Sequence, residues 1–167
     1  MRLLLTAVAA AALTVGGFGW PLQKLPWQTS AAYSPNAPMV RFLYPQQVQV
    51  QAGKPYTVEM HFRIAGGLHI NSHTPLQKSL IRTDLNAPAP AGVRITAVQF
   101  PAGSPYALAA FPSEKLSVYT GEIVVGMRIV ARRGNHLIQG SLRYQACDTN
   151  TCFPPRNVPV AVDVIAQ

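Results

Sequence analysis

The sequence predicts an all-β domain built as an antiparallel β-sandwich, and three observations carry that expectation. Apolar residues recur at every second position in the longer segments: in "YTVEMHFRI", Tyr56, Val58, Met60, Phe62 and Ile64 alternate with Thr57, Glu59, His61 and Arg63, the period of a half-buried strand. Fifteen prolines and twelve glycines punctuate these runs at short intervals. No segment after residue 20 keeps a 3.6-residue period over three turns, so helix has no sequence support. Eight or nine short strands at regular spacing suit an immunoglobulin-like arrangement.

With 167 residues, 49% of them hydrophobic, the chain is long enough for one domain with a substantial core. Residues 1–19 read as a secretory signal: Arg2 precedes an apolar run of 13 residues, Leu3 to Val15, and Gly16, Gly17 and Gly19 follow. The run is short of the roughly 20 residues that span a bilayer, so membrane contact is expected only through an uncleaved signal. Residues 20–38, rich in Pro, Ser, Ala and Gln without periodicity, are expected to be a linker. The folded domain then covers 39–167. Its expected strands, besides the one above, are Val40 to Tyr44, Val48 to Gln51, Gly67 to Asn71, Leu80 to Leu85, Val93 to Phe100 and His136 to Ala146. "EIVVGMRIV" (Ile123, Val125, Met127, Ile129) and "NVPVAVDVI" (Val158, Val160, Val162, Val164) complete the set.

Charge excludes one function class. The net charge is +8, from 14 Lys and Arg against 6 Asp and Glu, but the basic residues are scattered and form no dense run. A nucleic-acid face concentrates such charge beside exposed aromatics, so no nucleic-acid partner is expected, and the charge reads as solubility with a preference for acidic partner surfaces. No Ser-His-Asp order or carboxylate pair suggests a hydrolase. His61 lies on the polar face of its strand and is expected to be solvated. His69 and His73 are four apart on a strand and loop, where that spacing defines no common face, so copper binding with Met39 or Met60 ranks low.

Both cysteines, Cys147 and Cys152, fall in "YQACDTNTCFPP". Leu142, Tyr144 and Ala146 should share one face of the incoming strand, with Arg143, Gln145 and Cys147 on the other, and the exit strand should begin near Arg156. The two cysteines then face each other across a hairpin mouth, at a spacing that permits a disulfide. In an oxidising compartment such thiols pair unless a reductant serves them. As a staple the bond does little, since a six-residue ring contributes roughly 2 kcal/mol of chain entropy against over 4 for a ring of a hundred. Composition and spacing leave a redox role and a structural one open. Zinc is disfavoured, because two thiolates without a nearby His leave it short of ligands. No metal or cofactor is expected.

The segment "LRYQACDTNTCFPPRNVPV" resembles the cysteine segment of the N-terminal periplasmic domain of the DsbD family of thiol:disulfide interchange proteins, with its Tyr-Gln-x-Cys, short loop, Cys-(Tyr/Phe)-Pro-Pro and Val-Pro strand. "GGLHINSHTPLQKSLIRTDL" and "ITAVQFPAGSPYALAAFPSEKLSVYTGEIVV" resemble further family segments, so the likeness covers about residues 39 to 165. The resemblance implies an immunoglobulin-like module, a stoichiometric electron carrier, that takes electrons from a membrane-embedded or thioredoxin-like donor and passes them to periplasmic thioredoxin-fold proteins. It also implies that Cys152 forms the intermolecular bond, that Cys147 resolves it, and that Tyr144, His69, Asn71, Phe153 and Pro154 line the site. Arg143 and Arg156 should favour a thiolate there and Asp148 should oppose it. A monomer is expected.

Three departures from the family pattern accompany the match. The chain ends at Gln167, so the donor is expected to be a separate polypeptide; the loop Asp148 to Thr151 is one residue shorter than the enterobacterial pattern; and His69 and Asn71 stand where that pattern has tyrosines. Finally, "SPYALAAFPSEKLSVY" is expected to form a loop containing Tyr106, Leu108 and Phe111. Phe111, eight residues before Tyr119, lies near the aromatic of the family's cap loop and is expected to cover the Cys147–Cys152 bond as a lid, with a core-filling loop as the alternative.

Overall fold

In the computed structural model the described residues are 38–108 and 111–167, the side chains of Leu108, Phe111 and Pro112 excepted. The expected signal and all but the last residue of the expected linker lie outside them. Twelve strands follow in order: β1 (Val40–Tyr44), β2 (Gln47–Val50), β3 (Pro55–Ile64), β4 (His69–Asn71), β5 (Asp84–Asn86), β6 (Val93–Gln99), β7 (Ser104–Leu108), β8 (Phe111–Tyr119), β9 (Glu122–Ala131), β10 (Gly134–Tyr144), β11 (Ala146–Cys147) and β12 (Arg156–Ala166). Among the described residues no segment is helical.

Two four-stranded sheets, in the orders β1-β3-β9-β6 and β2-β12-β10-β5, make the sandwich, and a third, β11-β4-β8-β7, stands beside it. The period-two pattern has the consequence expected of it. Val58, Met60 and Phe62 of β3, Val125, Met127 and Ile129 of β9, and Val160, Val162 and Val164 of β12 are buried in one cluster with Ile138 and Leu142 of β10. Each such side chain contributes roughly 1.5–3 kcal/mol by leaving water. The fold is therefore the expected all-β sandwich, with one pair departing from antiparallel: β2 runs parallel to β12, Val48 opposite Val164.

Several elements differ from expectation. Tyr56, placed by alternation on the buried face, is 41% exposed, because it sits at the start of β3 on the wall of an open groove that it shares with Tyr44 and His61. Leu80 to Thr83 is not strand. Thr83 instead donates its amide to the Ser72 carbonyl at 3.2 Å and its hydroxyl to the Asn71 carbonyl, so the chain folds back across the end of β4 and only Asp84–Asn86 joins β10. The expected loop around Tyr106 and Leu108 is a hairpin of β7 and β8, paired from Ser104–Val118 to Leu108–Phe111.

Close contacts hold that hairpin's base to β4. The Ser72 and Ser117 hydroxyls lie 2.8 Å apart, and a Cβ on Gly103 would collide with both side chains, which leaves glycine as the residue that fits. Tyr119, 3% exposed, donates its hydroxyl to the Pro101 carbonyl at 2.8 Å and accepts the His73 amide at 3.1 Å. Tyr119→Phe keeps the shape but leaves two backbone groups without this partner. The expected loss is roughly 1–3 kcal/mol, read as a lower urea midpoint with unchanged slope.

Candidate functional site

The site is built where β10 leaves the sandwich. The β10–β12 ladder ends at Tyr144 opposite Arg156, and the next bridge pairs Cys147 with Cys152. From Tyr144 to Cys147 is three residues and from Arg156 to Cys152 is four, 147 − 144 against 156 − 152. The return strand thus carries one extra residue, in the stretch holding Pro154 and Pro155, which have no amide to offer a ladder. The extra residue shifts the partner strand's register and leaves the alternation along residues 144–147 as it was. Ala146 and Cys147 leave β12 and pair with Ile70 and His69 of β4. Pairing with β4 buries both residues, Ala146 at 1% and Cys147 at 3% exposure.

Cys147 and Cys152 are joined by a disulfide with their Cα atoms 4.0 Å apart. Backbone bonds flank the pair on both sides, Phe153 N–H to the Ala146 carbonyl at 2.8 Å and Asp148 N–H to the Thr151 carbonyl at 2.9 Å. The cysteines therefore occupy a non-hydrogen-bonded antiparallel position, where facing strands come closest. The Asp148 carboxylate closes the turn by accepting the amides of Asn150 and Thr151, each at 2.7 Å. Those two bonds hold its pKa below the usual aspartate range, with the His69 ring adding to the effect. Cys152 is exposed.

A pocket of about 180 Å³ opens over the disulfide, lined by His69, Asn71, Leu80, Leu116 and both cysteines, with Asp148 and Glu114 among the further lining residues. His69 is 2% exposed, and burial lowers its pKa while the Asp148 carboxylate opposes that shift. Its ring lies 4.3 Å from that of Tyr106 on β7. Asn71, 1% exposed, donates its amide to the Ile81 carbonyl at 3.0 Å and so ties the 73–83 loop to the pocket wall. Tyr144 is buried at 3%, Phe153 packs against the core cluster, and Pro154 is exposed; none of the three is among the pocket's lining residues. The side chain of Phe111, the expected lid, lies outside the described residues.

Other expectations are resolved differently. Arg143 and Arg156 do not line the pocket, and the charged groups that do are the acids Asp148 and Glu114, since β10 and β12 carry the arginines into the sandwich sheet. His61, expected to be solvated, is half-buried: it meets Glu122 at 2.8 Å beside Arg63 and stacks on Tyr44. Met39 and Met60 are core residues at 2% and 0% exposure. Sequence reasoning missed Glu114, Leu116 and the contact of Tyr106 with His69, which depend on β8 pairing with β4. The open groove at Tyr44 and Tyr56, about 610 Å³, contains no cysteine.

The fold is thus a β-sandwich that carries, on a flanking sheet, a disulfide with one exposed cysteine. Residues 39–163 match the family described as the N-terminal domain of the thiol:disulfide interchange protein DsbD. The chain belongs to that family. Among solved structures it is similar to the reduced N-terminal domain of DsbD from Neisseria meningitidis, at 22% identity over 66% of this chain and 78% of that one, with a TM-score of 0.42. It is also similar to the N-terminal periplasmic domain of ScsB from Proteus mirabilis, at 13% identity over 67% and 42% of the two chains, TM-score 0.47. A third is the complex of the DsbD and PilB N-terminal domains from Neisseria meningitidis, at 21% identity over 63% and 73%, TM-score 0.43. Among curated proteins none matches the sequence.

The Asp148 turn has a pH signature with a definite sign. A carboxylate whose folded pKa is depressed contributes stability above its unfolded pKa and loses that contribution as pH falls through the folded value. The amide resonances of Asn150 and Thr151 should therefore titrate together with a midpoint below the ordinary 3.8 of aspartate. Asp148→Asn should remove that transition from both amides, measured by proton–nitrogen correlation spectra against pH.

Proposed function

We propose that this domain is an exported, periplasmic electron carrier that relays reducing equivalents through the Cys147–Cys152 pair. Its donor is a membrane-embedded or thioredoxin-like protein, and its acceptors are thioredoxin-fold proteins of the envelope. One observation carries the reading: the two ends of the disulfide are unequal, Cys147 being 3% exposed and Cys152 open to solvent. Exchange needs in-line access to one sulfur, with a second close enough to displace the partner. Cys152 is the sulfur a partner reaches. Cys147, one bridge away and shielded, is placed to resolve the mixed disulfide.

Two further features support this role over that of a staple. The hairpin tip is already closed by the Asp148–Thr151 and Ala146–Phe153 backbone bonds, so a cross-link there adds little constraint. Leu76 on the 73–83 loop, whose Leu80 lines the pocket, is 65% exposed and offers an apolar contact for a docking protein. In this reading the domain works as a monomer that joins its partners transiently.

The assignment of roles is tested by trapping. Cys147→Ser should accumulate a mixed disulfide with an oxidised thioredoxin-fold partner, seen as a reducible adduct on gels, whereas Cys152→Ser should not. Equal trapping by both variants would remove the assignment. The lid role of Phe111 rests on the family resemblance, and Phe111→Ala tests it: reduction by dithiothreitol should quicken while the urea midpoint stays put. An unchanged rate with a loss of roughly 3–5 kcal/mol would identify a core phenylalanine instead.

A further inference from the structure

Beside the cysteines the pocket holds a buried imidazole, that of His69. His69 is paired directly with Cys147 across the β4–β11 ladder. Side chains of directly opposed antiparallel residues leave the sheet on the same face, with Cβ atoms about 4.5–5.5 Å apart, and these two line one pocket with Cys152. The Nε2 atom of His69 is buried and has no hydrogen-bond partner. A buried polar atom in that condition carries the full cost of its lost hydration, and it calls for an explanation in what the site does. In the disulfide state Cys147 has no proton to give. In the reduced and mixed-disulfide states it does.

The geometry points to His69 Nε2 as the proton acceptor for the Cys147 thiol in the resolving step, an inference that rests on the exchange function proposed above. The groups facing the imidazole from the elements packed around it are Tyr106 of β7, Glu114 of β8, Asn71 of β4 and Asp148 of the turn. Burial keeps the ring's pKa below the ordinary 6.5, so near neutral pH the ring is uncharged. With its proton on Nδ1 it offers a lone pair at Nε2, and the Asp148 carboxylate stands ready to stabilise the imidazolium that forms.

Cys152 Sγ is bonded to the partner's sulfur, and Cys147 holds an S–H. Its proton passes to Nε2 while the sulfur's electron pair attacks Cys152 Sγ. The Cys147–Cys152 bond forms, and the bond to the partner breaks with its electron pair on the partner's sulfur, which leaves as a thiolate. The partner is reduced by two electrons, the cysteine pair is oxidised, and the imidazolium returns its proton to solvent.

Reaction of the reduced full chain with 5,5′-dithiobis(2-nitrobenzoate) separates the events, because attack by Cys152 releases one thionitrobenzoate and resolution by Cys147 releases a second. His69→Gln should leave the first release unchanged and slow the second by roughly a hundredfold to ten-thousandfold near neutral pH, the range expected for loss of a general base. In the wild type, the second rate should fall as pH drops through the His69 pKa, measured independently by nuclear magnetic resonance of the imidazole; the variant should lack that inflection. A second release indifferent to His69→Gln, or a wild-type profile without an inflection at the imidazole pKa, overturns the inference while leaving the exchange function standing. Absence of any second release from the wild type overturns both. Should His69→Gln fail to fold, the wild-type profile and the imidazole titration decide the matter together.

Discussion

The redox site depends on where Ala146 and Cys147 find their hydrogen bonds. The β10–β12 ladder ends at Tyr144 and Arg156. Pro154 and Pro155 cannot donate to that ladder, and the extra residue they bring shifts the register by one. The hairpin tip then transfers to β4. Burial of one sulfur, exposure of the other, the pocket above them and the facing histidine all follow from that transfer. The loop from His73 to Thr83 and the β7–β8 hairpin complete the enclosure through bonds to the end of β4: Thr83 to Ser72 and Asn71, Asn71 to Ile81, and Ser72 to Ser117.

Much of the sandwich was legible because its strands are long enough to display their period. In β3, β9 and β12 the alternating Val, Ile, Met and Phe residues are the buried ones, Val58 to Ile64, Ile123 to Ala131 and Val158 to Ala166. Where a strand is short or its burial comes from a neighbour, the pattern failed. The three residues of β4 are all buried and show no alternation, and β7 and β8 mix small and polar residues because they flank the core. The cysteine pair and its Pro-Pro flank could be read from spacing and family likeness. The burial of Cys147 could not, since it comes from the pairing of Ala146 and Cys147 with β4, and Glu114, Leu116 and Tyr106 reach the site only through the β4–β8 and β7–β8 pairings.

Charge follows the same division between what a sequence counts and what a fold places. Arg143 and Arg156 stand close to the cysteines in sequence, yet the charged residues lining the pocket are Asp148 and Glu114. Among the described residues the pocket's lining holds these two acids and no arginine or lysine, whereas cationic neighbours are what depress a thiol pKa. His69, buried and with its pKa lowered, is a neutral base beside those two carboxylates.

The small span of the disulfide ring bears on how the domain's energetics are partitioned. By thermodynamic linkage, whatever the bond adds to folding stability, folding adds to the tendency of the thiols to oxidise. A six-residue ring, with the cysteines five apart in sequence, contributes roughly 2 kcal/mol at most in the chain-entropy account, and here the tip is also held by the Asp148 turn. Little of the sandwich's stability is therefore coupled to the oxidation state of the sulfurs. A substitution deep in the core can erode the fold while leaving the couple's driving force nearly where it was, and the hairpin tip can drift in sequence to match a new partner's potential without endangering the scaffold that carries it.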